Sequence, residues 1–410
     1  MKRRAKNLRN RRLTGILLAA CVLSAMIFGT VTAQASEEEE YTYTVRVFGG
    51  NKGTVNGQEM VMNDQLKAGG SVSFRLQSTD SRYVVRVRED MADFAATAAL
   101  AAGRNVAVVS DDVVDALYGD AVAAQFVGKS VLRVVVPHGE AHKAPAEYVS
   151  ILNRLAEAGF TREDTVVALG GGVVGDLAGF AAATYMRGVR LIAVPTSLLA
   201  MVDSSVGGKT AINIDYGKNL CGAFYQPAEV YINTGFLSTL PPREMLCGWG
   251  EIIKYAFIDH TIGMTDLEGD VTPLLIAKCV QCKADVVSAD EREGGLRKVL
   301  NLGHTVGHAI ERLSEFSLSH GECVVKGMAA VLAMSRLYYG LSDETYRRAL
   351  AVLSVKGHDL SNPYAPMEII AQLVNDKKSG EKGVDMVLID NDLCARIVRL
   401  TYADIGSLLL

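Results

Sequence analysis

Four short apolar runs stand out in the middle of the chain: Asn105-Val-Ala-Val-Val-Ser110, Val131-Leu-Arg-Val-Val-Val-Pro137, Thr165-Val-Val-Ala-Leu169 and Leu191-Ile-Ala-Val-Pro195. Each is brief and nearly continuous, the pattern of a strand covered on both faces in a parallel sheet. Helical spacing intervenes over residues 146–159 and 176–187. Strands alternating with helices predict an open parallel sheet with helices on both faces. After about residue 240 the period turns helical, over 243–258, 272–288, 303–314, 321–339 and 345–356. The expected fold class is therefore α/β, a parallel-sheet nucleotide-binding domain (83–240) followed by an all-helical domain (241–410). Ligands of such sheets sit outside the carboxyl ends of the strands, so the cleft between the halves is the expected site.

The front of the chain has a different character. Residues 1–12 are strongly basic, 13–32 are apolar, and Ala33-Gln34-Ala35 has the small residues of a cleavage site. That order predicts a secretory signal over 1–35; the competing reading is an uncleaved membrane anchor. Residues 36–82 alternate in period 2 at Tyr41–Phe48, with further short strands expected at 54–57 and 71–76 around a Gly49–Gly53 turn. Such a segment is a small β module, marginal as an independent core and carrying no catalytic constellation. The joint at Asp80-Ser-Arg-Tyr-Val84 has no linker composition. It reads as a genuine fusion or, in preference, as an artificial join with the enzyme starting near residue 83.

Composition narrows the function classes. The 410 residues carry a net charge of -4, which gives no reason to expect a nucleic-acid partner. The seven cysteines are irregularly spaced, unlike a disulfide framework. Cys279-Val-Gln-Cys282 has redox or zinc spacing but lies in a helical run without a second pair, so helix packing is the expected role.

Two constellations carry chemistry. Gly170-Gly171-Gly172-Val173-Val174-Gly175-Asp176 follows a strand and opens a helix, where backbone N–H groups and the helix dipole can hold a pyrophosphate. No acidic residue follows about 20 positions on, as the full dinucleotide fingerprint requires, so a purely structural turn stays open. Around it, strand ends carry Gly139-Glu140, Pro195-Thr196-Ser197, Asp203 and Gly207-Gly208-Lys209, with Gly217-Lys218-Asn219 and Arg187 nearby, suited to a charged, hydroxyl-rich ligand. In the helical half, Glu251 and the pair His304 and His308, one turn apart on one helix face, are followed by His320. One carboxylate and two neutral imidazoles make a divalent-cation site. By spacing alone, structural histidines are an equal reading.

Several blocks together resemble the 3-dehydroquinate synthase family of sugar-phosphate cyclases. They are Gly170–Phe180, Tyr185–Gly188, Val202–Thr210, Gly217–Asn219, Phe224–Pro227, Glu251–Lys254, Gly295–Arg297, Asn301–His308 and His320–Glu322. They follow the family's order and spacing from residue 83 to the end. The resemblance implies an NAD-binding domain ahead of a metal- and substrate-binding domain. It also implies a cytoplasmic homodimer of the shikimate pathway that works on a small sugar-acid phosphate, with no membrane partner for the enzyme part. The family's reaction combines transient oxidation by NAD, loss of phosphate, re-reduction and intramolecular aldol closure.

Carried over residue by residue, the resemblance makes Glu251, His304 and His320 the ligands of one zinc or cobalt ion. Asp111, Glu140, Lys143, Gly171, Gly172, Gly175, Asp176, Thr196, Ser197, Lys218, Phe236 and Thr239 become NAD contacts. Substrate contacts are Asp203, Lys209, Asn219, Lys254, Lys283, Arg297, Asn301 and His308, with a phosphate lysine at Lys377 or Lys378. Arg187 reaches phosphate across a subunit interface. Glu293 and His308 take proton-transfer roles, supported by Lys209, Arg297 and Asn301. This chain departs from the family pattern at Ser197, Met201 and Val113, which stand for Thr, Gln and Asn. Three other readings remain: a cyclase for a neutral sugar phosphate, a metal-dependent polyol dehydrogenase, and an exported binding protein with an inactive enzyme domain. Lys283 and Arg297 argue against the first.

Overall fold

The structure is a computed structural model that describes residues 28–34, 40–46, 71–77, 82–376 and 383–409. Most of the signal-like segment, the strand expected at 54–57, and both Lys377 and Lys378 lie outside the described residues.

Numbered along the chain, the strands are β1 (Phe28–Gln34), β2 (Glu40–Arg46), β3 (Ser71–Gln77), β4 (Arg82–Arg88), β5 (Asn105–Asp111), β6 (Ser130–Val136), β7 (Thr165–Gly170), β8 (Arg190–Pro195), β9 (Lys209–Ile214), β10 (Gly217–Phe224), β11 (Glu229–Asn233), β12 (Val384–Ile389) and β13 (Ala395–Leu400). Among them β4-β11-β8-β7-β5-β6 form a parallel sheet in that order. The four apolar runs are β5 to β8. Every residue of β7 is buried, as a central parallel strand requires. Register lines up the carboxyl ends: Gly170 pairs with Pro195, Asp111 with Val136 and Ser110 with Leu169.

The helices of eight residues or more are α1 (Pro145–Glu157), α2 (Gly172–Thr184), α3 (Pro242–Ala256), α4 (Pro273–Ala289), α5 (His304–Leu313), α6 (His320–Tyr339), α7 (Asp343–Ser354), α8 (Pro366–Asp376) and α9 (Tyr402–Leu409). Side chains alternate along β5. Ala107 and Val109 face the core under α1 and α2, while Val106 and Val108 join a core continuous with the helical half.

Three features differ from the sequence expectation. The half expected to be all helical carries the antiparallel hairpin β12–β13, whose strands sit within an otherwise helical succession. The hairpin β9–β10 has no apolar signature because β10 is largely exposed. The boundary placed at residue 83 falls inside a hairpin: β3 pairs antiparallel with β4, Phe74 opposite Val85, and β3 also lies against α4. Beyond β3, β1 and β2 add antiparallel strands to its edge.

Cys279 and Cys282 are buried in α4, and burial raises both thiols well above their usual range. They pack as small apolar residues, as expected. No helix among the described residues is long and apolar enough to cross a membrane.

Two predictions follow from this packing. Removing residues 1–82 takes away β3, which pairs with β4 and lies against α4, whereas removing 1–69 takes away only β1 and β2 beyond it. A loss of several kcal/mol in the first case lowers the Tm by about 10 °C or more, readable by circular dichroism; equal Tm values would restore the boundary at 83. Asp285 on α4 is pushed up to about 7 by burial, despite a hydrogen bond from Gln281. Its folded form binds the proton more tightly than the unfolded form, so its contribution is full below about pH 4 and is lost as pH rises through about 7. Asp285→Asn should therefore gain a few °C in Tm over the parent at about pH 8 and much less at about pH 5.

Candidate active site

Three helices of the second half meet at a buried carboxylate. Glu251 on α3 is fully buried. The Lys254 ammonium lies against Oε2 as an ion pair. His304 Nε2 stands 3.3 Å and His320 Nε2 3.4 Å from Oε1. Tetrahedral ligands bonded at about 2.1 Å to one ion stand about 3.4 Å apart, and the three donor atoms lie within 4.8 Å of one another. A buried carboxylate whose Oε1 faces two imidazole nitrogens fits a divalent cation. His304 already has the tautomer needed, since its Nδ1–H donates to the Leu302 carbonyl at 3.1 Å and leaves Nε2 with a lone pair.

Local sequence brings these ligands together. Each adjoins a glycine at which helices touch by their backbones. A Cβ at Gly321 would stand 2.0 Å from the Cys247 carbonyl oxygen, and one at Gly250 2.7 Å from that of Gly321, so α3 and α6 admit no side chain there. Gly303 adopts φ +77° and packs against Val324 and Met328 of α6. A capping box fixes the start of α6: the Ser319 N–H donates to Glu322 Oε2 at 2.7 Å, and the Glu322 N–H donates to Ser319 Oγ at 3.5 Å. His320 is thereby held in the first turn.

Cations and anions alternate from this point toward the sheet. Lys254 also faces Asp203 Oδ1 at 3.9 Å, and Lys283 holds the same oxygen at 2.8 Å and the Asp203 carbonyl at 2.7 Å. The Tyr255 hydroxyl donates to Asp203 Oδ1 at 2.5 Å. Burial opposes ionisation of Asp203, but the two lysines hold it below the usual carboxylate range, while burial pulls Lys283 down. Arg297 is buried beside Gly207, whose carbonyl it meets at 3.1 Å. Lys209 and Asn301 both donate to Glu293, at 2.5 and 2.7 Å. Those bonds hold Glu293 low despite its partial burial. His308 packs 5.5 and 5.8 Å, ring to ring, from His304 and His320. Its packing against those two imidazoles lowers its pKa, which favours the neutral imidazole.

At the strand ends, Gly171 precedes α2 and no side chain caps that helix. The Thr196 N–H donates to the Gly170 carbonyl at 3.0 Å, placing Thr196 and Ser197 beside the glycine turn. A Cβ on Gly175 would meet nothing within 4 Å, so the first turn of α2 faces open space. Asp176 pairs with buried Lys143, which also reaches Asn219. Burial nevertheless raises Asp176. Asn213 donates to Glu140 Oε1 at 2.8 Å and accepts from the Asn219 N–H at 3.0 Å, so the β9–β10 hairpin is tied to the strand-end residues. Asp111 accepts from the N–H groups of Val113 and Val114, ending β5. Phe236 and Thr239 gather around Tyr118, with rings 4.5 Å apart and hydroxyls 2.6 Å apart.

Contacts thus link the triad through Lys254, Asp203 and Lys283, and through Glu311 and Lys218, toward the strand-end residue Glu140. Arg187 does not join these contacts; it is exposed, on a left-handed backbone at φ +67°. Met201 is buried and Val113 exposed. Three participants escaped sequence reading: Tyr255, Asn213 and Glu311. Glu311 lies three residues after His308, on the same face of α5, and that spacing was a usable signal.

Residues 133–247 match the family model described as 3-dehydroquinate synthase N-terminal, and 248–379 the one described as 3-dehydroquinate synthase C-terminal. The chain is 45% identical over 316 residues to a 3-dehydroquinate synthase of Geobacter metallireducens, covering 73% of this chain and 88% of the relative. It is 38% identical to one of Alkaliphilus metalliredigens, covering 76% and 90%. Among solved structures, 2-deoxy-scyllo-inosose synthase complexed with carbaglucose-6-phosphate, NAD+ and Co2+ superposes with a TM-score of 0.75 at 25% identity, over 82% of this chain and 99% of that one. The 2-epi-5-epi-valiolone synthase of Streptomyces hygroscopicus, with NAD+ and Zn2+ bound, gives 0.72 at 26%, over 80% and 96%.

The triad makes a direct prediction. Glu251→Gln keeps the volume but removes the anion, and should weaken divalent-ion binding by about two orders of magnitude or more. Calorimetric titration of the metal-free protein with zinc or cobalt reads this; unchanged affinity would move the site elsewhere.

Proposed function

The chain belongs to the 3-dehydroquinate synthase family, and from that premise we propose that it converts 3-deoxy-D-arabino-heptulosonate 7-phosphate to 3-dehydroquinate and phosphate, using NAD and one divalent cation. The observation that carries this reading is a buried carboxylate flanked by two imidazoles, linked through buried Lys254 and Lys283 to Asp203 and accompanied by an uncapped glycine turn at the strand ends.

Glu251, His304 and His320 would hold the cation, and the turn Gly171–Asp176 with Glu140, Lys143, Thr196 and Ser197 would hold the dinucleotide. When bound, NAD supplies reversible hydride acceptance and the cation supplies Lewis acidity toward substrate hydroxyls. The protein's own residues position and neutralise. Lys283 and Arg297 suit the substrate carboxylate, a role no neutral sugar phosphate would require. Lys209, Asn219 and Lys254 surround the remaining polar groups. Glu293, held ionised between Lys209 and Asn301, and neutral His308 are placed to move protons. With phosphate gone, a sugar acid held at both ends needs only orientation to close its ring.

We further infer that the enzyme unit begins near Ser71, since β3 completes its sheet, and that it works in the cytoplasm as a homodimer. Arg187 supports the dimer: it is exposed beside exposed Met186.

Two experiments test this. Phosphate release should be faster from the seven-carbon acid phosphate than from glucose 6-phosphate, abolished by chelator, and lowered about 100-fold or more in kcat by Lys209→Ala. Chelator-insensitive release, or preference for the neutral sugar, would overturn the assignment. For the dimer, Arg187→Ala and Lys209→Ala subunits are each nearly inactive, yet exchanged mixtures should recover about a quarter of parent activity, because half the dimers carry one complete site. No recovery would place Arg187 in its own subunit's site.

A further inference from the structure

Outside the triad, a second group of side chains converges behind His320. Glu311 Oε1 accepts from Lys218 Nζ at 2.8 Å, and Glu311 Oε2 stands 3.7 Å from His320 Nδ1. His320 Nε2 is the atom that faces Glu251. The two imidazoles of the triad are therefore secured differently. The backbone of Leu302 fixes His304; only a side chain stands behind His320.

We propose that Glu311 is a positioning residue that sets the tautomer and orientation of His320 and, through Lys218, ties the cation site to the cofactor side of the cleft. The inference rests on the cation reading given above. A ligand imidazole must present a lone pair at Nε2 and carry its proton at Nδ1, and a carboxylate behind Nδ1 favours that form and makes the ring a stronger donor. The 3.7 Å separation is an ion-pair contact rather than a hydrogen bond, and it places the Glu311 carboxylate on the Nδ1 side of the ring. Lys218 belongs to the β9–β10 hairpin, also lies 4.0 Å from Glu140, and rests over the Phe316 ring at 3.9 Å. Glu311 thereby holds a cation of the sheet half against the helical half. His308, Glu311 and His320 also have donor atoms close enough to hold a second ion. The Lys218 ammonium already fills the place beside Glu311, which favours the positioning role.

The test is cobalt titration of the metal-free full-length protein, followed by the visible absorption of bound Co2+. Glu311→Gln should weaken cobalt binding by about 10–100-fold and alter the band shape. Glu311→Asp should restore part of the affinity, and Lys218→Met should leave cobalt affinity near parental while raising the KM for NAD. Matching far-ultraviolet dichroism of the metal-free variants separates positioning from misfolding; if the Gln variant does not fold, the Asp variant is read in the same way. Parental affinity and spectrum in a folded Glu311 variant would overturn the proposal. So would two cobalt ions per parental chain, which would make the cluster a second metal site. A parental protein that binds no cobalt would sink the cation reading itself, a distinguishable result.

Discussion

The whole site depends on backbone-to-backbone contact between α3, α5 and α6. Where a Cβ would overlap a carbonyl by more than an ångström, only glycine permits the approach. Gly250 precedes Glu251, Gly303 precedes His304 and Gly321 follows His320, so the closest helix contacts and the ligands coincide. Glycine within a helix costs about 1 kcal/mol against alanine. Here that cost brings three chemically unlike side chains from distant segments to one point.

Charge around that point is balanced rather than absent. Buried Glu251 and Asp203 stand against buried Lys254 and Lys283, and buried Arg297 lies within reach of both the Gly207 loop and the Phe224 ring. Buried ion pairs of this kind contribute little to stability, since desolvation offsets most of the attraction. Their value is readiness: polar groups are oriented before an anionic, hydroxylated molecule arrives. Two residues of this region, Asn219 and Glu293, have positive φ without being glycine.

Much of this was readable from residues 105–340. Strands covered on both faces leave continuous apolar runs, and β5 to β8 were found within a residue or so. The i, i+4 pair His304 and His308 pointed to this helix, but only the family resemblance singled out Glu251, His304 and His320. What escaped was set by tertiary context. The β9–β10 hairpin is held by Asn213, Asn219 and Lys143 rather than by apolar alternation, so period-2 reading passed over it. β3 was recognised as a strand, but its partner was assigned to another domain, because pairing across a short connection leaves no trace in composition. The strained positions at Arg187 and Glu293 carry no sequence mark, since neither residue type favours φ > 0.

Contacts made by main chain alone do not stretch. Where helices touch through side chains, a rotamer change can widen the gap; where carbonyl meets Cα, as at Gly321 and Cys247, there is nothing to rotate. The distance from Glu251 to the two imidazoles is accordingly fixed by the skeleton of the bundle. Such a cage discriminates by ionic radius. It suits small ions bonded at about 2.0–2.2 Å and penalises calcium, which requires about 2.3–2.6 Å and more oxygens. Zinc and cobalt are close enough in size to exchange without repacking a single residue.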